Sequence, residues 1–149
     1  MASQYAAAME RLTTQLAAAV PANTVTRTYR EFTQFTDAEL VTGVYTVISG
    51  GVRGYGYEAT PQFFDGPDQT ALGQFHFSIV GQTRVSETAT GEQIEAAEFA
   101  LFAPLEAFAD AGINDDTLKD LLLLDATFSQ QLEAPYCWVK TDWRLRLFH

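Results

Sequence analysis

Three carboxylates, Glu92, Glu95 and Glu98, recur at three-residue spacing. Residues three apart on a helix are neighbours. Such a cluster could hold a divalent cation through oxygen ligands or divide acid and base roles between its members. The sequence completes neither chemistry, because no histidine and no second acidic cluster accompanies the three. They read as a solvated or partner-facing helix side. His76 lies between Gln74 and Ser78 on the strand face opposite Phe75, Phe77 and Ile79, and it reads as a structural or surface histidine. The second histidine, His149, is the last residue. One cysteine, Cys137, excludes an intramolecular disulfide and a cysteine-based zinc site. Within Tyr136-Cys-Trp-Val139 it reads as a buried, inert thiol.

Other signatures of chemistry are missing. Gly50-Gly-Val-Arg-Gly54 lacks the Lys-Ser/Thr and the helix that a phosphate loop requires. Neither a Gly-x-Ser-x-Gly elbow nor a His-Glu-x-x-His zinc motif occurs. No catalytic, metal or cofactor residue is therefore expected, and the chain reads as a non-enzyme without a cofactor.

The elements that position these side chains follow from periodicity. Residues 3–19 form an amphipathic helix, with Tyr5, Met9, Leu12, Leu16 and Ala19 on one stripe. It is read as part of the mature protein, since a signal peptide would carry a basic leader segment. Residues 24–30 and 40–48 alternate as strands, 32–38 reads as a loop, and Gly50-Gly51 closes the second strand. Residues 72–80 place Phe75, Phe77 and Ile79 at period two. A polar break at 86–91 follows. An acidic helix from Glu92 to Gly112 then buries Ile94, Ala97, Leu101, Leu105 and Phe108, and Pro104 should kink or divide it. A short helix over 117–124 and an extended segment over 127–132 lead to a last strand, 135–147. That strand puts Cys137, Val139, Trp143, Leu145 and Leu147 on one face, and Lys140, Arg144 and Arg146 on the other. Residues 50–70 mix glycines and prolines with Val52, Tyr55, Tyr57, Phe63 and Phe64. They read either as an irregular strand entering a turn at Asp65-Gly-Pro67 or as a long loop ordered against a partner.

Length and composition bound the class. At 149 residues, 47% hydrophobic and 13% aromatic, the chain can bury one core and is not disordered. The expected fold is α+β: one domain with a mostly antiparallel or mixed sheet of four to five strands. The N-terminal and central acidic helices pack on one side of it. A net charge of −10 repels a phosphate backbone, and no apolar run is long enough to span a bilayer. Charge is also segregated. Nine acids and one base, Lys119, lie between Glu92 and Asp125, whereas Arg27, Arg30, Lys140, Arg144 and Arg146 belong to strands. This pattern suits solubility, or assembly in which the acidic side of one copy meets basic strand ends of another.

Four stretches together resemble the tail terminator (tail completion) proteins of tailed bacteriophages. They are the N-terminal helix leading to Val25-Thr-Arg-Thr-Tyr29, the strand Gly43-Val-Tyr-Thr-Val-Ile48, the run from Gly73-Gln-Phe-His-Phe-Ser-Ile-Val80 through Gly91-Glu-Gln-Ile-Glu-Ala-Ala-Glu98, and Gln131-Leu-Glu-Ala-Pro-Tyr-Cys-Trp-Val139. The resemblance covers most of the chain and rests on element order more than on single residues. It implies a virion structural protein at the head–tail interface, assembled in the host cytoplasm. Such a protein forms a hexameric homo-oligomeric ring that caps the tail tube, stops its polymerisation and joins the head–neck connector. Its partners would be further copies of itself, the major tail (tube) protein and the connector. DNA would pass an acidic bore without specific binding, and no membrane would be involved. Interface residues would come from Arg27, Arg30, Tyr55, Tyr57, Phe63, Phe64, Glu92, Glu95, Glu98, Lys140, Arg144 and Arg146. Three alternatives stand beside it: another neck or tube component, a small-ligand binding domain of cystatin-like shape with a cavity at Phe75, Phe77 and Tyr45, and an enzyme using His76.

Overall fold

The computed structural model describes residues 4–53, 71–113 and 118–148. The elements in chain order are α1 (Gln4–Ala19), β1 (Thr24–Thr26), a 3-10 turn (Phe32–Gln34), α2 (Asp37–Thr42), β2 (Val44–Arg53), β3 (Ala71–Arg84), α3 (Gly91–Ala111), β4 (Leu118–Phe128) and β5 (Tyr136–Phe148). The strands form one five-stranded sheet in the order β1-β2-β3-β5-β4. β1 runs parallel to β2, and the other pairs are antiparallel. The expected α+β class with a mixed sheet is what the chain adopts.

Period two divides the sheet into unequal faces. Tyr45, Val47, Phe75, Phe77, Ile79, Val139, Trp143 and Leu145 all point to one side. There they form a single core with Met9, Leu12 and Leu16 of α1 and Leu101, Leu105 and Phe108 of α3. Phe77 stacks on Trp143 at 5.8 Å between ring centroids, and Tyr5 stacks on Phe75 at the same distance. The three rings proposed for a cystatin-like cavity, Phe75, Phe77 and Tyr45, are thus core fillers. The buried indole N–H of Trp143 donates to Thr141 Oγ1 at 2.6 Å, and that hydroxyl donates to the Ile79 carbonyl at 2.7 Å. No polar group of the pair is left unsatisfied, which is the condition for burying them.

α3 lies on the middle of this face because one row of the sheet is low. Tyr45, Gly81 and Val139 are register partners across β2, β3 and β5. A Cβ on Gly81 would come within 2.8 Å of Leu101 Cγ, so Leu101 occupies the space that a side chain would fill. Tyr45 closes the contact by donating its hydroxyl to the Leu101 carbonyl at 2.6 Å. Burial pushes that phenol up to about 12. Pro104 clashes with the carbonyls one turn before it, yet α3 continues through it to Ala111 without dividing. Thr90 starts the helix with a capping box to Gln93, and Gly112, at φ +69°, ends it.

Among the described residues, the opposite face is covered only at one end. Phe32, Phe35, Leu40 and Val44 form a second, smaller cluster with Tyr136 and Trp138. Two tethers hold this flap. Gln82 Nε2 donates to the Arg30 carbonyl at 3.1 Å, and Thr83 Oγ1 donates to the Leu40 carbonyl at 2.7 Å.

Several boundaries differ from expectation. The first strand ends at Thr26, so Arg27 and Arg30 lie beyond it. The stretch read as a loop folds into the 3-10 turn and α2, because Thr36 and Glu39 make a capping box. Leu40 therefore belongs to α2, and β2 starts at Val44 and runs past Gly50-Gly51 to Arg53 through a register shift. The short helix expected over 117–124 is instead strand β4, which ends at Phe128, so the segment expected to be extended over 127–132 turns at 129–135. Four consecutive leucines fit either period. Pairing with β5 decides for the strand, where Leu123 meets Trp143 across the ladder.

A methyl at Gly81 would meet α3 at below contact distance. Gly81→Ala is expected to cost about 1–3 kcal/mol, as overpacking does. The check is a lower urea midpoint at unchanged slope.

Candidate interaction surfaces

The carboxylates of α3 do not act as one cluster. At roughly 100° per residue, Glu92, Glu95, Glu106 and Asp110 share one side of the helix, and all four are exposed. Glu98 falls on the buried stripe with Ile94, Leu101, Leu105 and Phe108. It is 2% exposed. Its carboxylate accepts the Ser129 backbone N–H at 3.0 Å and the Ser129 hydroxyl at 2.9 Å. The expectation of a solvated or partner-facing Glu98 is therefore corrected: it fastens the turn after β4 to α3. Glu95 reinforces the fastening by accepting from Gln131 Nε2 at 3.4 Å. Gln130 and Gln131 both take positive φ, 59° and 65°, within this tight turn. The sequence carried a signal for Glu98, since it stands four residues after Ile94 and three before Leu101. Its hydrogen-bond partner, Ser129, carried none.

Cys137 is buried, and its thiol is pushed up to about 11, first by burial and then by the Glu98 carboxylate. A thiol so rarely ionised is a poor nucleophile. His76 faces a cation, because its register partner on β5 is Arg144. The hydroxyl of Ser78 donates to Asp142 at 2.8 Å. Among the described residues no group of His, Cys, Asp and Glu could hold a metal ion, and no helix is long and apolar enough to cross a membrane.

The basic residues lie on the other side of the molecule. Lys140, Arg144 and Arg146 project from the sheet face opposite α1 and α3, on β5, which is an interior strand between β3 and β4. They form a face and not strand ends. Lys140 approaches Asp142 at 4.0 Å, and Arg146 approaches Asp120 at 3.8 Å. Arg144 donates to the neutral Gln74 Oε1 at 3.4 Å. Arg27 donates to the Val47 carbonyl at 3.1 Å, and Arg30 lies 4.9 Å over the Phe35 ring. Arg30 belongs to the flap, and Arg27 lies beside β2 and α1, so neither joins the cations of β5. Tyr55, Tyr57, Phe63 and Phe64 lie outside the described residues.

Apolar side chains are also exposed. Leu132 is 80% exposed at the 129–135 turn, and Phe99 is 57% exposed on α3, edge-on to Phe128 at 5.6 Å. Val41, Leu122 and Leu124 add to these. A groove of about 310 Å³ opens between the flap and the sheet, walled by Tyr29, Phe32, Val80, Trp138 and Lys140, with Glu31 and Glu133 at its rim and Gln82 at its floor. The Tyr29 phenol is raised above its usual value, first by burial and then by Glu31 and Glu133.

Replacing Glu98 by Ala leaves the Ser129 N–H and hydroxyl unpaired inside the fold. A loss of about 2–3 kcal/mol is expected, with faster proteolysis in the 129–135 turn, whereas Glu92→Ala should change stability by less than about 0.5 kcal/mol. Chemical denaturation of the two variants separates these outcomes.

No family model matches the chain, and no curated protein matches it. Among solved structures, a chain from the virion of a native gene transfer agent (GTA) particle is similar. Identity is 18% over 95% of this chain and 90% of that one, with a TM-score of 0.45. At that score neither fold nor function passes from one to the other.

Proposed function

We propose that this chain is a structural protein of a phage-like virion that works as a tail terminator, closing into a hexameric ring that caps the tail tube and joins it to the neck. The observation that carries the reading is the placement of charge. The exposed carboxylates Glu92, Glu95, Glu106 and Asp110 lie on the outer side of α3, while Lys140, Arg144 and Arg146 lie on the sheet face turned away from the helices. Two different patches on opposite sides of one domain, one acidic and one carrying three cations beside Asp120 and Asp142, suit a heterologous contact repeated around a closed circle. A self-complementary dimer would need one patch that matches itself. The reading also rests on the resemblance of the four sequence stretches to that family.

In the ring, the role is shape and charge recognition, without chemistry. Its partners are further copies, the tube protein and the connector. The net charge of −10 would leave the bore weakly repulsive to DNA in transit.

Negative-stain microscopy and native mass spectrometry of the purified chain, alone and with tube protein, test the reading. Discrete six-fold rings that dissociate as salt rises are expected. Paired reversal of Glu92 and Glu95 to Lys should abolish them, and adding K140E and R144E should restore them in part. Long tubes of this chain alone would point to a tube component, and a salt-insensitive two-fold dimer would overturn the proposal.

A further inference from the structure

The flap, residues 27–42 between β1 and β2, is built as a unit of its own. Its two ends are pinned together. β1 pairs with the start of β2, and Asn23 Nδ2 donates to the carbonyls of Thr42 at 2.9 Å and Gly43 at 3.2 Å. Between those ends the hydrogen bonds are mostly local. Glu31 with Gln34 and Thr36 with Glu39 close two capping boxes, and the N–H groups of Leu40 and Gly43 donate four residues back. Phe32, Phe35 and Leu40 belong to a cluster separate from the main core. The ties to β3 are few: Gln82 to the Arg30 carbonyl, Thr83 to the Leu40 carbonyl, and an ion pair of Arg84 with the exposed Asp37 at 2.9 Å. A surface pair of that kind contributes little. The closed flap also carries a cost. Thr46 and Gln82 are 0% and 1% exposed, and Thr46 Oγ1 and Gln82 Oε1 have no hydrogen-bond partner among the described residues. Thr46 follows Val44 by two along β2, and Gln82 is the register partner of Val44, so all three lie on the flap's face. Unpaired polar atoms disfavour the closed form, because water reaches them once that face is uncovered.

We propose that the flap is a strap that opens as one unit, at a lower free energy than global unfolding, while the sheet, α1 and α3 stay folded. Local hydrogen bonding, a small separate cluster and few ties are what define such a cooperative unit. The main core lies on the other sheet face, against α1 and α3, and keeps its contacts when the flap lifts. Closed, this face shows the groove walled in part by Tyr29 and Phe32. Open, it uncovers Val44, Tyr136 and Trp138, which the flap's apolar residues cover. One subunit thus presents two different surfaces at the same place. The inference is independent of ring formation, because it concerns only the flap and the sheet of one subunit.

The test is native-state hydrogen exchange of the ¹⁵N-labelled full chain in rising, subdenaturing urea, where reclosing outpaces exchange. The amides of Phe35, Leu40 and Gly43 report the flap, and those of β3 and β5 report the sheet. Flap amides are expected to show a lower opening free energy and a smaller, non-zero urea slope than sheet amides. Three near-isosteric variants then locate the opening. Thr46→Val removes the unpaired hydroxyl and should slow flap exchange about tenfold, whereas Thr83→Val removes a tie and should speed it at least about fivefold. Ile79→Val, in the main core, should speed sheet exchange about fivefold and leave the flap unchanged, because Ile79 stays buried in the open form. One shared opening free energy and slope for flap and sheet, or equal acceleration of both by Ile79→Val, would overturn the proposal. Flap exchange that ignores both threonine variants would overturn it too, since only α2 would then be fraying, and so would faster flap exchange in Thr46→Val.

Discussion

The close approach of α3 to the sheet at Gly81 sets the position of nearly everything that follows in the chain. With no side chain at that point, Leu101 sits directly over the middle row of the sheet, and the Tyr45 hydroxyl reaches its carbonyl at 2.6 Å. Three residues earlier on the same stripe, Glu98 is carried inward to where Ser129 follows β4. That bond holds the 129–135 turn, and the turn carries Glu133 to the rim of the groove beside Tyr29. A helix standing farther from the sheet would lose the carboxylate's partner first and the shape of the groove next.

The sheet separates two kinds of surface. One face is spent on the core, where aromatic stacking and the Trp143–Thr141 relay leave little freedom. The other face is half-covered, and its side chains are held by short polar ties: Ser78 with Asp142, Arg144 with Gln74, Arg146 with Asp120. These are arrangements of charge and shape without a poised nucleophile. The thiol of Cys137 is held up at about 11 and stays protonated at neutral pH, and His76 stands opposite Arg144 in the ladder.

Period two and period 3.6 made the core legible in the sequence. Phe75, Phe77, Ile79, Val139, Trp143 and Leu145 were assigned to the buried face from spacing, as were Leu12, Leu16, Leu101 and Leu105 in the helices. What escaped were features that depend on a partner far along the chain. Leu121 to Leu124 could be helix or strand until β5 was placed beside them. Glu98 followed the charge pattern of its neighbours on paper, although its position on the stripe already put it inside. The flap was read as a loop because its apolar residues bury against Tyr136 and Trp138, about a hundred residues later. Gln82 carried no signal, since the Arg30 carbonyl to which it donates is brought there only by the fold.

Strand β4 bears on how copies of this chain could meet. It lies at one edge of the sheet, with Leu122 and Leu124 exposed, and an open edge is ordinarily an invitation to strand pairing. Two register shifts interrupt it, between Lys119 and Leu122 and between Leu123 and Asp125, and Asp120 takes a positive φ of 57°. Bulges break the regular row of N–H and C=O groups that an added strand would need. Asp120 and Asp125 also place charge along the same strand. An assembly built on β4 would therefore use side chains against a shaped surface, and extension of the sheet is disfavoured. The opposite edge is β1, three residues long, which borders β2 only at Val44–Thr46, so among the described residues that edge continues along β2 to Arg53. On the β4 side, any contact between copies would therefore fall to the faces of the domain, where the acidic side of α3 and the cations of β5 are found.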